Sequence, residues 1–590
     1  MSSNFPFLSR QTILNLYSLP NALIFLLNWP LQPFPFPLFH KKINQMEYFP
    51  KFLLILILLP FFNQVLSLQE HEIFHPYQTS YTFDPQAMII QACNNIQNQA
   101  LCLSHIQSNL DNHGHIRDPH SILRAAIRNS LNQAKLAIQS ITKFSTLSAS
   151  SRDQMAIEDC QELLDFSVTE LAWSLGEMRK IRTGLKNFHY EGNLKAWLSA
   201  ALSNQDTCLE GFEGTDRHLE NFIKGSLTQV TQLISNVLTL YVQLHSLPFK
   251  SPRNETIRYD NKKYPEWMTN GDKEMLTSSP SKMHVDAVVA LDGSGHYRSI
   301  AQAIYAAPSY SSRRYVIYVK RGIYHENVDM KKKKTNIMLV GDGIGATVIT
   351  GNRNFMQGWT TFRTATVAVS GKGFIARDIT FRNTAGPKNF QGVALRVDSD
   401  QSAFFRCSME GYQDTLYAHS LRQFYRECNI YGTIDFIFGN GAAVLQNCKI
   451  YTREPLPLQK VTITAQGRKS PDQSTGFSIQ DSYVYATRPT YLGRPWKMYS
   501  RTVYMNTYMS GMVQPRGWLE WYGNFALNSL WYGEYKNYGP GSSLSGRVKW
   551  PGYHIIKDPS TASFFTVQHF IDGMSWLPAT GVQFTAGLTN

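Results

Sequence analysis

The stretch from Gln391 to Asn440 constrains the fold more than any other, because its polar residues recur at an almost constant interval. It contains QGVAL (391–395), YQDTL (412–416) and IDFIFGN (434–440). Gln391 is followed by Gln413, and Asp414 by Asp435, at nearly equal steps. The cysteines keep the same beat, from Cys407 to Cys428 to Cys448. A period of about twenty residues, filled with short β-branched and aromatic runs, predicts a solenoid with one coil per repeat. Residues one period apart then lie above one another, about 4.8 Å from strand to strand. Gln391, Gln413, Asp414 and Asp435 are therefore expected on one face.

At 590 residues the chain is too long for one ordinary core, so more than one domain is expected. Hydrophobic residues at 43% and charged residues at 17% fit a folded protein. The formal charge of +14 points to an acidic partner. No zinc-finger spacing or Walker loop is present, so nucleic acid is the weaker reading and an anionic polysaccharide the stronger.

Phe52–Phe62 (FLLILILLPFF) is an apolar run behind Lys51, too short to span a bilayer comfortably and suited to a signal-peptide core. Cleavage is expected after Ser67. The Pro- and Phe-rich residues 1–45 are an odd preface to a targeting signal, so Met46 is read as the working start; the alternative is a signal anchor with a cytoplasmic tail. Removing residues 1–67 takes four basic residues and one acid, which leaves the exported chain at +11.

Residues 68–247 carry helical periodicity. Ile127, Leu131, Ala134, Ile138 and Ile141 form one apolar stripe, Leu164, Val168, Leu171 and Leu175 a second, and Val230, Leu233, Val237 and Leu240 a third. An antiparallel helix bundle buries such stripes. Cys93 and Cys102 are placed to tie an N-terminal hairpin, and Cys160 and Cys208 to tie two bundle helices. Residues 248–284 read as a linker, with Asn254-Glu255-Thr256 as an acceptor pattern for N-glycosylation. From 285 to 590 the texture turns to short β runs punctuated by Gly and Asn. The run Lys331–Lys334 is either a solvated turn or a contact for an anionic polymer.

Two aspartates one coil apart suit ester hydrolysis, glycosidic cleavage or calcium binding; a lone Asp more often satisfies a turn. Here both sit among aromatics (Tyr412, Tyr417, Phe436, Phe438), where burial holds one carboxyl protonated beside its charged neighbour. The glutamines discriminate further. A tetrahedral oxyanion needs N–H donors aimed at it, and two neutral amides supply them. Ester hydrolysis is favoured.

GIYHE (322–326), QGVAL, YQDTL, IDFIFGN and YLGRPW (491–496) resemble, in order, five signature blocks of plant pectin methylesterases. DCQELLDFSVTEL (159–171) and WLSAALSNQDTC (197–208) resemble the pectin methylesterase inhibitor domain that precedes many of these enzymes. The resemblance implies an antiparallel four-helix bundle followed by a right-handed parallel β-helix. It implies hydrolysis of methyl esters on galacturonate units of pectin, releasing methanol without metal or cofactor, in a secreted, cell-wall protein. Carried over, Asp435 is the nucleophile and Asp414 the acid, then base. Gln413 stabilises the oxyanion, with Gln391 assisting and binding substrate. Arg494 holds Asp435 ionised, Trp496 offers a face to the sugar, and Thr361, Tyr417 and Phe438 complete the substrate surface. Cys428 and Cys448 match a family disulfide, which leaves Cys407 as a thiol.

There are two departures. Gly392 stands where the family usually has Ala, and Lys273-Glu274-Met275-Leu276 stands where a dibasic processing site is often found. A subtilisin-like protease is therefore expected either not to cut or to use another place such as Lys262-Lys263. Nothing in the sequence calls for an obligate dimer. The readings set aside are a polygalacturonase or pectate lyase on the same solenoid, and a wall-binding or inhibitory protein without activity.

Overall fold

A computed structural model describes residues 85–110, 119–182, 190–246 and 284–589, apart from positions 95, 97, 149 and 216. The extension 1–45, the signal segment 46–67, Asn254, Lys262-Lys263 and residues 273–276 lie outside them. All the described residues belong to one compact unit, Phe83–Asn590.

The N-terminal part is helical, with α1 (Pro85–Cys93), α2 (Gln99–Leu110), α3 (Pro119–Lys143), α4 (Ser151–Arg182), α5 (Tyr190–Glu210) and α6 (Arg217–Ser246). The apolar stripes face inward as their spacing requires. Ile127, Leu131, Ala134 and Ile141 of α3, Leu164 and Leu171 of α4, and Val230, Leu233, Val237 and Leu240 of α6 are all buried. Each of the four long helices packs on two others, α3 on α4 and α6, and α5 on α4 and α6. Disulfides join Cys93 to Cys102 and Cys160 to Cys208. Among the described residues no helix is long and apolar enough to cross a membrane.

The second disulfide spans 48 residues and ties α4 to α5. Loop-closure entropy for that span is worth about 4 kcal/mol. A Cys160→Ser/Cys208→Ser chain is expected to melt several degrees lower than the parent in thermal unfolding.

From Ala287 onward the chain winds into a parallel β-helix of three sheets, with 11, 7 and 8 strands. Successive coils stack in register: Ser402–Phe405 pairs with Arg422–Arg426, which pairs with Ala442–Gln446, which pairs with Gly476–Gln480. Like side chains form ladders inside, such as Phe404 on Tyr425 at 4.9 Å, and outside, such as Tyr431 on Tyr451 at 4.7 Å. One corner is made the same way on coil after coil, by a non-glycine residue in the left-handed region: Asp378, Arg406, Glu427, Asn447, Asp481, Asn506 and Lys536. A short helix, Ile300–Ala306, covers the first coil with Ile300, Ala303 and Ile304 in the core. Near the C-terminus Val567, Ile571, Trp576 and Leu577 pack against the outside of the 11-stranded sheet.

The cysteine ladder corrects one expectation. Cys428 and Cys448 are not joined; with Cys407 they are buried thiols. The three occupy one inward phase on consecutive coils, and the thiol of Cys428 interacts with both neighbours, so no pair is singled out. Each of the later two sulfurs instead rests on backbone carbonyls, Cys428 on Phe404 and Arg426 at 3.4 Å, and Cys448 on Tyr425 at 3.5 Å.

Candidate active site

The seven-stranded sheet carries the site. Its strands Leu395–Val397, Leu416–Ala418 and Ile437–Gly439 stack with Arg396, Tyr417 and Phe438 in one row across three coils. Gln391 and Gln413 lie one coil apart and form a parallel bridge of their own. Leu416 pairs with Ile437, so the acids just upstream of each, Asp414 and Asp435, also stand one coil apart. Both aspartates adopt left-handed backbone, with φ of 63° and 49°. Asp tolerates that region better than most side chains. Gly439 is required by close approach: a Cβ there would fall 2.2 Å from the Ala418 carbonyl, so the IDFIFGN block needs its glycine.

Gln391, Gln413, Asp414, Asp435, Arg494 and Trp496 line one cavity of about 240 Å³, as do Thr361, Tyr417 and Phe438. Every site residue expected from the sequence, the cysteines apart, is brought to this place. Asp435 is held from two sides. Arg494 donates from Nε to Oδ1 at 2.9 Å and from Nη2 to Oδ2 at 2.7 Å, a two-point grip that fixes the carboxylate's plane. Thr462 Oγ1 donates to Oδ1 at 2.6 Å and accepts from the Asp435 backbone N–H at 2.9 Å. Asp414 is 8% exposed. Burial first, and the charge of Asp435 second, push its carboxyl well above the ordinary carboxylate range, against a smaller opposing pull from Arg494. One acid is thus gripped by a guanidinium, and its neighbour is set to keep a proton.

Sequence reasoning misses Thr462 and Trp521. The step from Phe438 to its partner Ala465 is longer than the step before it, because the loop after Thr452 interrupts the beat. Thr464 in turn pairs with Gly493, so Arg494 lies two coils beyond Asp435 at a spacing no constant period gives. Trp521, whose ring lies 4.3 Å from the Arg494 guanidinium carbon, belongs to a later loop and has no repeat to announce it. The aromatic row is continuous: Tyr417 stacks on Phe438 at 4.1 Å, and Phe438 meets Trp496 edge-on at 5.9 Å.

The helices close the cavity. Thr207, Glu210, Gly211 and Glu213, at the end of α5 and just beyond, complete its lining. Along α5, Trp197 Nε1 donates to Asp400 at 2.8 Å, Ser203 accepts from Asn440 at 2.8 Å, and Thr207 Oγ1 lies 2.9 Å from His419 Nε2. Asp206 and Glu210 pair with Lys469 at 2.7 Å and Lys497 at 2.6 Å. Along α4, Asp159 pairs with Arg363 and accepts from Thr360, while Glu162 and Glu170 pair with Lys331 and Lys332 at 2.7 Å. Burial pushes the Asp159 carboxyl up to about 6 and that of Glu170 to about 7, despite their cationic partners.

Comparison with known proteins agrees with this division. The pectinesterase family profile matches residues 286–574, and the profile for plant invertase/pectin methylesterase inhibitor matches residues 87–240. A pectinesterase/pectinesterase inhibitor of Arabidopsis thaliana is 66% identical over 534 residues, spanning 89% of this chain and 97% of its own. Another, of Prunus persica, is 50% identical over 473 residues, spanning 78% of this chain and 88% of its own. Among solved structures, a pectin methylesterase from carrot is 53% identical with a TM-score of 0.52, covering 52% of this chain and 100% of that one. Two profile matches, the inhibitor's ahead of the esterase's, and relatives alike over most of the chain place it among the plant pectinesterases that carry an inhibitor domain, which are carboxylic ester hydrolases.

Proposed function

We propose that the chain hydrolyses methyl esters of galacturonate units in pectin by an aspartyl mechanism in which Asp435 and Asp414 divide the work. The carrying observation is the contrast between them: Asp435 gripped by Arg494 and Thr462, Asp414 buried beside it. Asp435 attacks the ester carbonyl carbon and the carbonyl oxygen becomes an oxyanion. The side-chain amides of Gln413 and Gln391 have no hydrogen-bond partner among the described residues, so their N–H groups are free to receive it. Asp414 gives its proton to the methoxy oxygen and methanol leaves, with an anhydride between Asp435 and the sugar. Asp414, now a carboxylate, takes a proton from water, whose oxygen attacks the sugar carbonyl. The anhydride breaks, Asp435 is restored and the galacturonate carboxylic acid is released. Tyr417, Phe438, Trp496 and Thr361 form the surface on which the sugar rests, without metal or cofactor. Methanol release from highly methylated pectin, lost in Asp435→Asn, tests the reading.

The four long helices are read as an antiparallel four-helix bundle and the solenoid as right-handed. The bundle covers the site it precedes, so the uncut chain is held silent until the helices are cut away or loosened. The exported chain is read as a secreted, monomeric wall protein, with a processing protease acting in residues 248–284.

Thr462 is the positioning residue of the pair. Thr462→Val is expected to lower kcat roughly tenfold to a hundredfold with KM nearly unchanged, because the loss falls on the carboxylate's aim and not on the sugar surface. A change confined to KM would refute that role.

A further inference from the structure

A second cavity, of about 630 Å³, lies between α4 and the shoulder of the β-helix, away from the paired aspartates. Its walls come from both parts of the chain: Trp173 and Gly176 of α4, Trp197 of α5, and Lys333 and Lys372 from turns of the β-helix. The lysine run is mostly spent elsewhere. Lys331 pairs with Glu162 and Asp329, Lys332 with Glu170, and Lys334 donates to the carbonyls of Tyr305 and Ala307. Lys333 and Lys372 differ. Neither ammonium has an acceptor among the described residues.

We propose that this cavity is a binding site for a short run of de-esterified galacturonate units, with Lys333 and Lys372 taking the carboxylates and Trp173 taking a sugar face. Lys372 is half-buried over the Trp197 ring at 5.3 Å. Burial holds its ammonium below the ordinary lysine range, and the nearby Asp400 only partly offsets that. A desolvated cation facing open space is stabilised by an anion that enters. The half-buried Trp173 ring lies 5.6 Å from that of Trp197, at 57°, which leaves an aromatic wall that a bare inorganic anion would not use. Asp165 and Glu177 also reach the lining, and Glu177 is already engaged by Lys180 at 2.9 Å and Asn193 at 3.2 Å. The volume lies within the range of small-ligand sites, roughly 300–1,000 Å³.

The choice of sugar rests on the esterase reading above, since that reaction leaves such carboxylates on the polymer. Because helices and β-helix both supply walls, an occupant bridges them and holds the covering helices down. Product-rich pectin would then keep an uncut chain closed.

The test is calorimetric titration of the full-length chain with trigalacturonic acid, its fully methyl-esterified form, and sulfate. The acid is expected to bind, with the ester and sulfate each at least roughly tenfold weaker. Lys333→Met and Lys372→Met should each weaken the acid by roughly tenfold. Gly176→Leu is the independent variant. A side chain there meets nothing within 4 Å at its first carbon, so it fills the cavity without backbone clash and should abolish binding. Absence of binding would overturn the proposal, as would sulfate binding as tightly as the acid. So would binding that survives Lys372→Met and Gly176→Leu but falls in Trp496→Ala, which would put the ligand in the catalytic cleft. Failure of the esterase reading would show separately, as missing methanol release from a chain whose helices have been loosened, with binding by the full-length chain intact.

Discussion

Asp435→Asn is expected to cut methanol release from highly methylated pectin at least roughly a thousandfold, while circular dichroism stays that of the parent. The amide has the carboxylate's shape and its oxygen still accepts from Arg494 or Thr462, so the coil geometry is kept. What it lacks is the charge that makes a nucleophile. Arg494 loses its ionic partner, but its side chain is 24% exposed and lies against Trp521, so the remaining cation is neither fully dry nor unsupported. Asp414→Asn should fail for a different reason, since an amide of the same shape cannot hand over a proton and take one back. Its failure should be partly relieved on substrates whose leaving alcohol is more acidic than methanol, whereas that of Asp435→Asn should not be. Both comparisons belong in a chain whose helices have been loosened, so that the parent is not silent. Undiminished release by Asp435→Asn would remove the nucleophile from the mechanism.

How far the sequence carries can be read residue by residue. The stretch 391–440 is legible because consecutive coils there have nearly equal length; equal length puts Gln391 by Gln413 and Asp414 by Asp435 without any knowledge of the turns. After Thr452 a loop breaks the beat, and Thr462, Arg494 and Trp521 pass out of reach of any spacing argument. Arg494 is legible through the YLGRPW block alone. The helical stripes are legible for the same reason as the coils, being periodic. Which way α4 and α5 lie on the β-helix is not, because that seam is made of single pairs such as Glu170–Lys332 and Trp197–Asp400, far apart in the chain and tied to no repeat. The thiol ladder shows the opposite error. A regular spacing of three cysteines marks stacking, and stacking alone does not choose a bonded pair.

Raising the pH is expected to open the uncut chain, and the sign follows from the seam. In the closed arrangement the carboxyls of Asp159 and Glu170 sit at about 6 and about 7, against ordinary values near 3.8 and 4.5. The closed form therefore binds these protons more tightly than the open one. Its stability is fully present below the ordinary values and declines as pH rises through the window from about 4 to 7, by on the order of 3 kcal/mol for each group. Buried His419, held below its ordinary range, works the other way and removes part of the slope at the acid end. Full-length activity should accordingly rise between pH 5 and pH 8 by tenfold or more beyond the esterase's own pH profile. That profile is supplied by a chain carrying Thr207→Arg, which forces a bulky cation against buried His419 and lifts α5. In an Asp159→Asn/Glu170→Gln chain the two titrating groups are gone while both side chains still accept from Thr360 and Lys332, so the extra slope should flatten. Glu210 is pushed up by burial against the pull of its Lys497 partner, so it adds to the same slope and stays in the double variant; the more exposed pair of Lys331 with Asp329 answers to salt. An unchanged slope in the double variant would mean that other groups titrate with the opening, Glu210 among them. No extra slope even in the parent would mean that the covering helices are held by apolar packing, through Phe362, Tyr417 and Phe438 against the helices' core, and that the buried acids only follow.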